Sequence, residues 1–192
     1  MAPHRDVSRQ RHGAAGIDMN PTSPSVSVLR LADIGILAPA ALLAGHGLTL
    51  QRVADGEAIP GSYWGDDEAG IIGTTVYARA DTPVHSLLHE ACHLIVLPPE
   101  RRASVHTDAT DSIEEEDATC YLQIVLADAL PGVGRDRLMA DMDAWGYSFR
   151  LGSTRDWFEQ DAENARTWLQ RHGLLDPDGR VAGSRQAGPS AC

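Results

Sequence analysis

Two histidines and a glutamate with the spacing of a metalloenzyme motif stand together in the middle of the chain. His89, Glu90 and His93 form the pattern H-E-x-x-H, with Ala91 and Cys92 between them. On a helix, residues four apart lie on one face one turn apart, so both imidazoles can bind the same metal ion. Glu90 then lies to the side of that ion, where a carboxylate can act as a general base. The pattern predicts a metal site with a candidate base beside it.

A third protein ligand is expected, because a catalytic zinc ion usually has three of them and a water molecule. The candidates are Glu114, Glu115 and Glu116, which open a second predicted helix that is largely apolar over 121–130. These acids also have a local explanation, since negative charge stabilises a helix N-terminus and Ser112 with Glu115 fits a capping box. The apolar segment indicates that the helix is packed in the core, so that one acid can face the first helix.

The helical wheel leaves more than one acid open as the ligand. Glu114 shares a face with Ala118 and competes with Glu115, while Glu116 shares a face with Gln123 and is expected to be exposed.

H-E-x-x-H on one helix, followed about twenty residues later by E-x-x-A on another, resembles the gluzincin group of zinc metallopeptidases. It is most similar to the small ImmA/IrrE-type metallopeptidases, over roughly residues 70–130. The resemblance implies a zinc ion held by His89, His93 and Glu115, the glutamate three residues before Ala118. It also implies a small sheet before the first helix, with an edge strand lining the substrate cleft. Thr119 departs from the family pattern, which has Asn or Asp there to orient a histidine ligand.

The activity expected from these residues is zinc-dependent hydrolysis of a peptide bond. Glu90 would take a proton from the attacking water and pass it to the leaving amine. The substrate would be a peptide or protein, by analogy a cytoplasmic regulatory protein. Two alternatives are a zincin scaffold that binds metal without turnover and a metal-free interaction protein whose acidic helices bind a basic partner.

Other residues near the motif have weaker chemical indications. His85 is expected to be an exposed residue of the first helical turn, His106 a solvated loop residue, and Cys92 a small core residue. The donor that would stabilise an oxyanion is left open among Tyr63, Tyr77, Tyr121, Tyr147 and His106. Residues 73–80 are a candidate edge strand for pairing with an extended peptide.

The elements that position the motif are predicted from turn and capping signals. Thr82 as N-cap, Pro83 at the first helical position and Pro98 after the end delimit the helix of the motif. Further helices are predicted at 112–130, 135–145 and 154–172, and a short one at 39–44. Strand signals at 48–53 and 70–80 precede the motif. Strands first and helices later indicate an α+β domain with a small, antiparallel-rich sheet.

Composition narrows the class of protein. The chain has 192 residues, 43% of them hydrophobic, and a net charge of −11, which indicates one domain and argues against nucleic acid binding. The domain is predicted at 26–175, with disordered tails at 1–25 and 176–192. Three cysteines without paired spacing indicate a reducing, cytoplasmic location. No apolar run suggests an export signal or a membrane span. Oligomeric state is not indicated by the sequence.

Overall fold

The computed structural model describes residues 27–63, 65, 67–109 and 112–182. The predicted N-terminal tail and residues 183–192 lie outside the described residues, whereas residues 176–182 belong to them. The elements, in chain order, are α1 (Leu31–Ile34), α2 (Leu37–Gly45), β1 (Thr49–Arg52), β2 (Gly70–Ile72), β3 (Thr75–Ala78), α3 (Val84–Val96), α4 (Pro99–Arg102), α5 (Ile113–Leu126), α6 (Gly134–Trp145), α7 (Thr154–Gln160) and α8 (Glu163–Arg171). The mixed α+β class is confirmed.

The sheet has three strands in the order β1-β3-β2. β2 and β3 form an antiparallel hairpin around Gly73, whose φ is 59°. β1 pairs with β3 in parallel, in register from Thr49 opposite Thr75. The sheet is therefore mixed rather than antiparallel-rich. The expectation that 73–80 is an edge strand is wrong, because β3 is the central strand and has a partner on each side.

The outer edge of β2 is filled by other parts of the chain. The backbone N–H of Ile71 donates to the carbonyl of Gly61 at 3.2 Å, and the N–H of Thr107 donates to the carbonyl of Ile71 at 3.0 Å. The N–H of Gly73 donates to the carbonyl of Val105 at 2.8 Å. The loop between α4 and α5 thus runs along β2 as a partial fourth strand.

α3 is the central helix of the domain. It packs against β2, β3, α5 and α6, and all of its residues except Glu90 and His93 are buried. Pro83 occupies the N-cap position, one residue later than predicted, and the hydroxyl of Thr82 instead accepts a hydrogen bond from the N–H of Arg79 at 3.0 Å. The helix ends at Val96, ahead of Pro98, as predicted. Its burial packs the helix of the motif into the core of the domain.

α5 lies directly against α3 and is also covered by α6 and α8. Ser112 caps its N-terminus, accepting from the N–H of Glu115 at 3.4 Å, as the capping pattern predicted. Every residue from Ala118 to Leu126 is buried. A 3₁₀ turn over Ala127–Ala129 then ends the helix before Pro131.

The C-terminal helices cover α5. α6 ends at Trp145 and is followed by Gly146, which has the left-handed φ of 99° expected of a helix-terminating glycine. The single helix predicted at 154–172 is wrong, because the chain breaks between α7 and α8 at Asp161. The side chain of Asp161 forms an ion pair with Arg150, and Ala162 turns into the core. Among the described residues, no helix has both the length and the apolar character needed to cross a bilayer.

Candidate metal centre

The packing of α3 on α5 brings together His89, His93 and Glu116. One potential ligand atom from each residue lies within 4.8 Å of the others. The Nε2 atoms of the two histidines are 3.1 Å apart, and each is 3.4 Å from a different carboxylate oxygen of Glu116. The two histidines come together because they are one turn apart on α3, and the acid arrives from the opposite helix.

Glu116 belongs to the face of α5 that contacts α3. Glu116, Thr119 and Gln123 follow one another at spacings of three and four residues, so they share one face. The sequence pattern placed Glu116 and Gln123 together correctly. The expected exposure of Glu116 is wrong, since its side chain is only 19% exposed and Gln123 is fully buried. The shared face is the buried one.

The other two acids point elsewhere. The carboxylate of Glu115, the predicted third ligand, lies 3.6 Å from the Nη1 atom of Arg101. Glu114 is exposed. Successive helical residues are rotated by about 100°, so only one of three consecutive acids can face a given neighbour. The structure therefore brings Glu116, and not Glu115, to the two histidines.

Each histidine has a polar partner on α5 at its other ring nitrogen. The Nδ1 atom of His89 lies 3.1 Å from Oε1 of Gln123, and the Nδ1 atom of His93 lies 3.4 Å from the hydroxyl of Thr119. Such partners orient a metal-binding imidazole. The sequence analysis placed Gln123 on the same helical face as Glu116 but missed its role as the partner of His89. Thr119, which departs from the family pattern, nonetheless has a polar atom within hydrogen-bond distance of His93.

Burial favours the neutral form of His93. Desolvation, followed by the proximity of His89, lowers its pKa from the ordinary 6.5 to about 4, although the charge of Glu116 acts in the opposite direction. At neutral pH the ring is therefore uncharged. A neutral imidazole has a lone pair available for a metal ion.

Glu90 is partly buried and follows His89 directly. It is rotated by about 100° around α3 from that histidine, so it flanks the cluster rather than joining it. Among the described residues, the cluster with metal-binding geometry does not include Glu90.

His85 is fully buried, one turn before His89, and its expected exposure is wrong. Its ring lies 5.0 Å from that of Trp145 and 5.6 Å from that of Tyr147, measured between centroids. Cys92 is a buried core residue as predicted, and burial raises the pKa of its thiol well above the ordinary value. His106 is an exposed loop residue, also as predicted.

Tyr147 is the candidate oxyanion donor with a ring contact to the cluster. It is buried, and its ring meets that of His89 edge-on with centroids 5.9 Å apart. Tyr121 instead stacks on Phe158 of α7, and Tyr63 is 48% exposed. Tyr77 lies in the central strand β3.

Comparison of this chain with protein-family models, with curated proteins and with solved structures finds no match.

Proposed function

We propose that this protein is a zinc-dependent peptide hydrolase, with His89, His93 and Glu116 as metal ligands and Glu90 as general base. The observation that carries the proposal is the convergence of three ligand atoms within 4.8 Å on two packed helices. Two imidazoles and one carboxylate are a donor set typical of catalytic zinc, which leaves a coordination position for water.

The chemistry of the cluster favours a cation. Two imidazole nitrogens and a carboxylate lie within 4.8 Å of one another, and the side chains of His89 and His93 are only 9% and 12% exposed. In such a poorly solvated environment the carboxylate charge and the imidazole lone pairs are stabilised by a positive charge or a proton placed among them. A divalent metal ion supplies that charge, so the residues present fit zinc.

The chain's own residues have distinct tasks in hydrolysis. A bound zinc ion would polarise the scissile carbonyl and make water more acidic. Glu90, beside the cluster, accepts the proton of the attacking water and delivers it to the leaving amine. Gln123 and Thr119 keep the two imidazoles oriented, and the packed helices hold the ligands in place.

A second candidate is a metal-binding protein without turnover. One observation favours it: the outer edge of β2, which could pair with an extended substrate, is already bonded to Gly61, Val105 and Thr107 of the same chain. A peptide substrate would have to displace that segment or bind elsewhere.

The test of the proposed function begins with metal content. Protein purified without chelators or a metal-binding tag should contain about one zinc per chain, and the variant His93→Ala almost none. Loaded protein is then incubated with a library of unstructured peptides, and mass spectrometry identifies new termini.

Three outcomes separate the candidates. Cleavage by the wild type that is lost in Glu90→Gln supports the hydrolase. Full zinc occupancy without any cleavage supports the scaffold. No zinc in the purified protein, and none taken up on addition, overturns both.

A further inference from the structure

A line of polar contacts runs through the site from α5 to α6. The contacts run from the hydroxyl of Thr119 to the ring of His93, then to the ring of His89, then to the side-chain amide of Gln123, and end at the sulfur of Met142. The successive distances are 3.4 Å, 3.1 Å, 3.1 Å and 3.0 Å. Because each neutral imidazole has one N–H and one lone pair, the direction of hydrogen bonding at one end constrains the other end.

The sulfur of Met142 determines which group donates in each of these hydrogen bonds. A thioether has no hydrogen to donate and can only accept, so the NH₂ group of Gln123 must point towards it. The amide oxygen of Gln123 is then directed at Nδ1 of His89. Gln123 and Met142 are both fully buried, so no solvent competes for these contacts.

The amide oxygen of Gln123 can only accept, so Nδ1 of His89 must carry the proton. His89 is thereby held in the Nδ1–H tautomer, with the lone pair of Nε2 directed into the cluster. This is the form in which a histidine binds metal through Nε2.

His93 is constrained differently. Its Nε2 lies 3.1 Å from Nε2 of His89, which carries a lone pair, and 3.4 Å from a carboxylate oxygen of Glu116. Both neighbours are acceptors, so in the metal-free protein with both rings neutral His93 carries its proton on Nε2. Its Nδ1 then accepts from the hydroxyl of Thr119. To bind metal through Nε2, His93 must move its proton to Nδ1. A hydroxyl can either donate or accept, so Thr119 can serve both tautomers by rotation.

We propose that Gln123, oriented by Met142, is a positioning residue that fixes His89 in the metal-binding tautomer, while Thr119 lets His93 exchange tautomers when metal binds. The inference rests on the metal site of the proposed function. The two histidines then differ: His89 has the metal-binding tautomer before metal binds, whereas His93 changes its tautomer on binding.

The experiment measures the ¹⁵N chemical shifts of both imidazoles, which distinguish protonated from unprotonated ring nitrogens. It uses the full chain without metal, at mildly alkaline pH, and then with one equivalent of zinc. We expect His89 to be Nδ1–H in both states, and His93 to change from Nε2–H to Nδ1–H on zinc binding. A metal-free protein in which His89 is mainly Nε2–H overturns the proposal.

Met142→Leu tests the origin of the direction without touching either histidine. Leucine keeps the volume but removes the acceptor for the Gln123 amide, so both tautomers of His89 should become populated. The matched control is Met139→Leu, a buried methionine one turn earlier on α6, which should leave the His89 shifts unchanged. Equal shifts in wild type and Met142→Leu contradict the role assigned to Met142.

Gln123→Leu should weaken zinc binding about 10- to 100-fold, the usual effect of removing such a partner, while Gln123→Glu, which retains the acceptor, should restore most of the affinity. Wild-type affinity in Gln123→Leu overturns the positioning role.

If the wild type binds no zinc, the proposed function fails, while the ¹⁵N shifts of the metal-free protein still decide the tautomers. Should Gln123→Leu fail to fold, Met142→Leu still provides the test.

Discussion

One carboxylate oxygen of Glu116 lies 3.4 Å from Nε2 of His93, across the contact between α5 and α3. The other carboxylate oxygen is the same distance from Nε2 of His89. Three consecutive glutamates, Glu114 to Glu116, lie in the first turn of α5, yet this one alone of the three joins the described cluster. The position of Glu116 distinguishes this proposed ligand from Glu114 and Glu115, which have the same side-chain chemistry.

Glu116→Gln should therefore lower zinc affinity by more than the roughly 10- to 100-fold typical of an orienting partner, because a charged ligand is lost. Glu115→Gln and Glu114→Gln are matched controls in the same helical turn and should bind zinc as the wild type does. Titration of metal-free protein with zinc, in competition with a chromophoric chelator, measures all three. A larger loss in Glu115→Gln than in Glu116→Gln would restore the ligand that the family resemblance implied.

Glu90→Gln should retain zinc and lose peptide hydrolysis. The amide cannot accept a proton from water, and a positioned general base contributes about 10²- to 10⁴-fold to the rate. Zinc content and kcat/KM are measured on the same preparation. The proposed mechanism would be wrong if this variant bound a full equivalent of zinc and still cleaved peptides at the wild-type rate.

The helix of the motif could be predicted because its signals are local. Pro83, Pro98 and the four-residue spacing of the histidines act within one element, and α3 follows them within a residue or two. The choice among the acids is not local, because rotation of α5 against α3 decides which of them faces inward. Burial of Gln123 reveals that rotation, and burial is a property of the assembled core.

The sheet, too, could be predicted from the sequence only in its local features. The strand positions followed from residue type and turns, but the parallel pairing of β1 with β3 joins segments more than twenty residues apart. The pairing of Thr107 with Ile71 joins residues that are still further apart in sequence. Such long-range contacts depend on how the hairpin packs on α3, for which no short sequence pattern exists.

Zinc should stabilise the folded chain against heat. An ion that binds the native state alone adds about 2.7 kcal/mol to the free energy of unfolding at a free concentration one hundred times Kd. Differential scanning fluorimetry with and without zinc measures the shift in Tm, and a chelator should reverse it. His93→Ala should show no such shift, and an equal shift in that variant would place the bound ion outside the cluster.

Stability of the metal-free protein should fall as the pH is lowered below about 6.5. Burial and the charge of Arg102 lower the pKa of His46, so the unfolded chain binds this proton more readily than the folded one. Below the ordinary histidine pKa, protonation therefore favours unfolding. Urea unfolding at pH 7 and pH 5 should show a smaller loss for His46→Gln than for wild type. The same loss in both proteins would contradict this contribution from His46.

Gly61→Ala should destabilise the fold far more than Gly47→Ala. Both glycines have positive φ, 70° and 74°, so alanine is strained at either position by about 1–2 kcal/mol. At Gly47 an added Cβ meets nothing within 4 Å, whereas at Gly61 it would lie 2.4 Å from the carbonyl oxygen of Ile71. That contact would push Gly61 away from β2 and break the hydrogen bond from the N–H of Ile71.

Urea unfolding measures the loss in the free energy of unfolding for each alanine variant. Backbone strain is common to both variants, so the difference between the two losses reports the close contact at Gly61. We expect the loss for Gly61→Ala to exceed that for Gly47→Ala by roughly 2 kcal/mol, in the range of severe single substitutions. Equal losses would mean that the segment at Gly61 can move off β2 at little cost. The outer edge of that strand would then be accessible to an extended peptide, which weakens the argument for a scaffold without turnover.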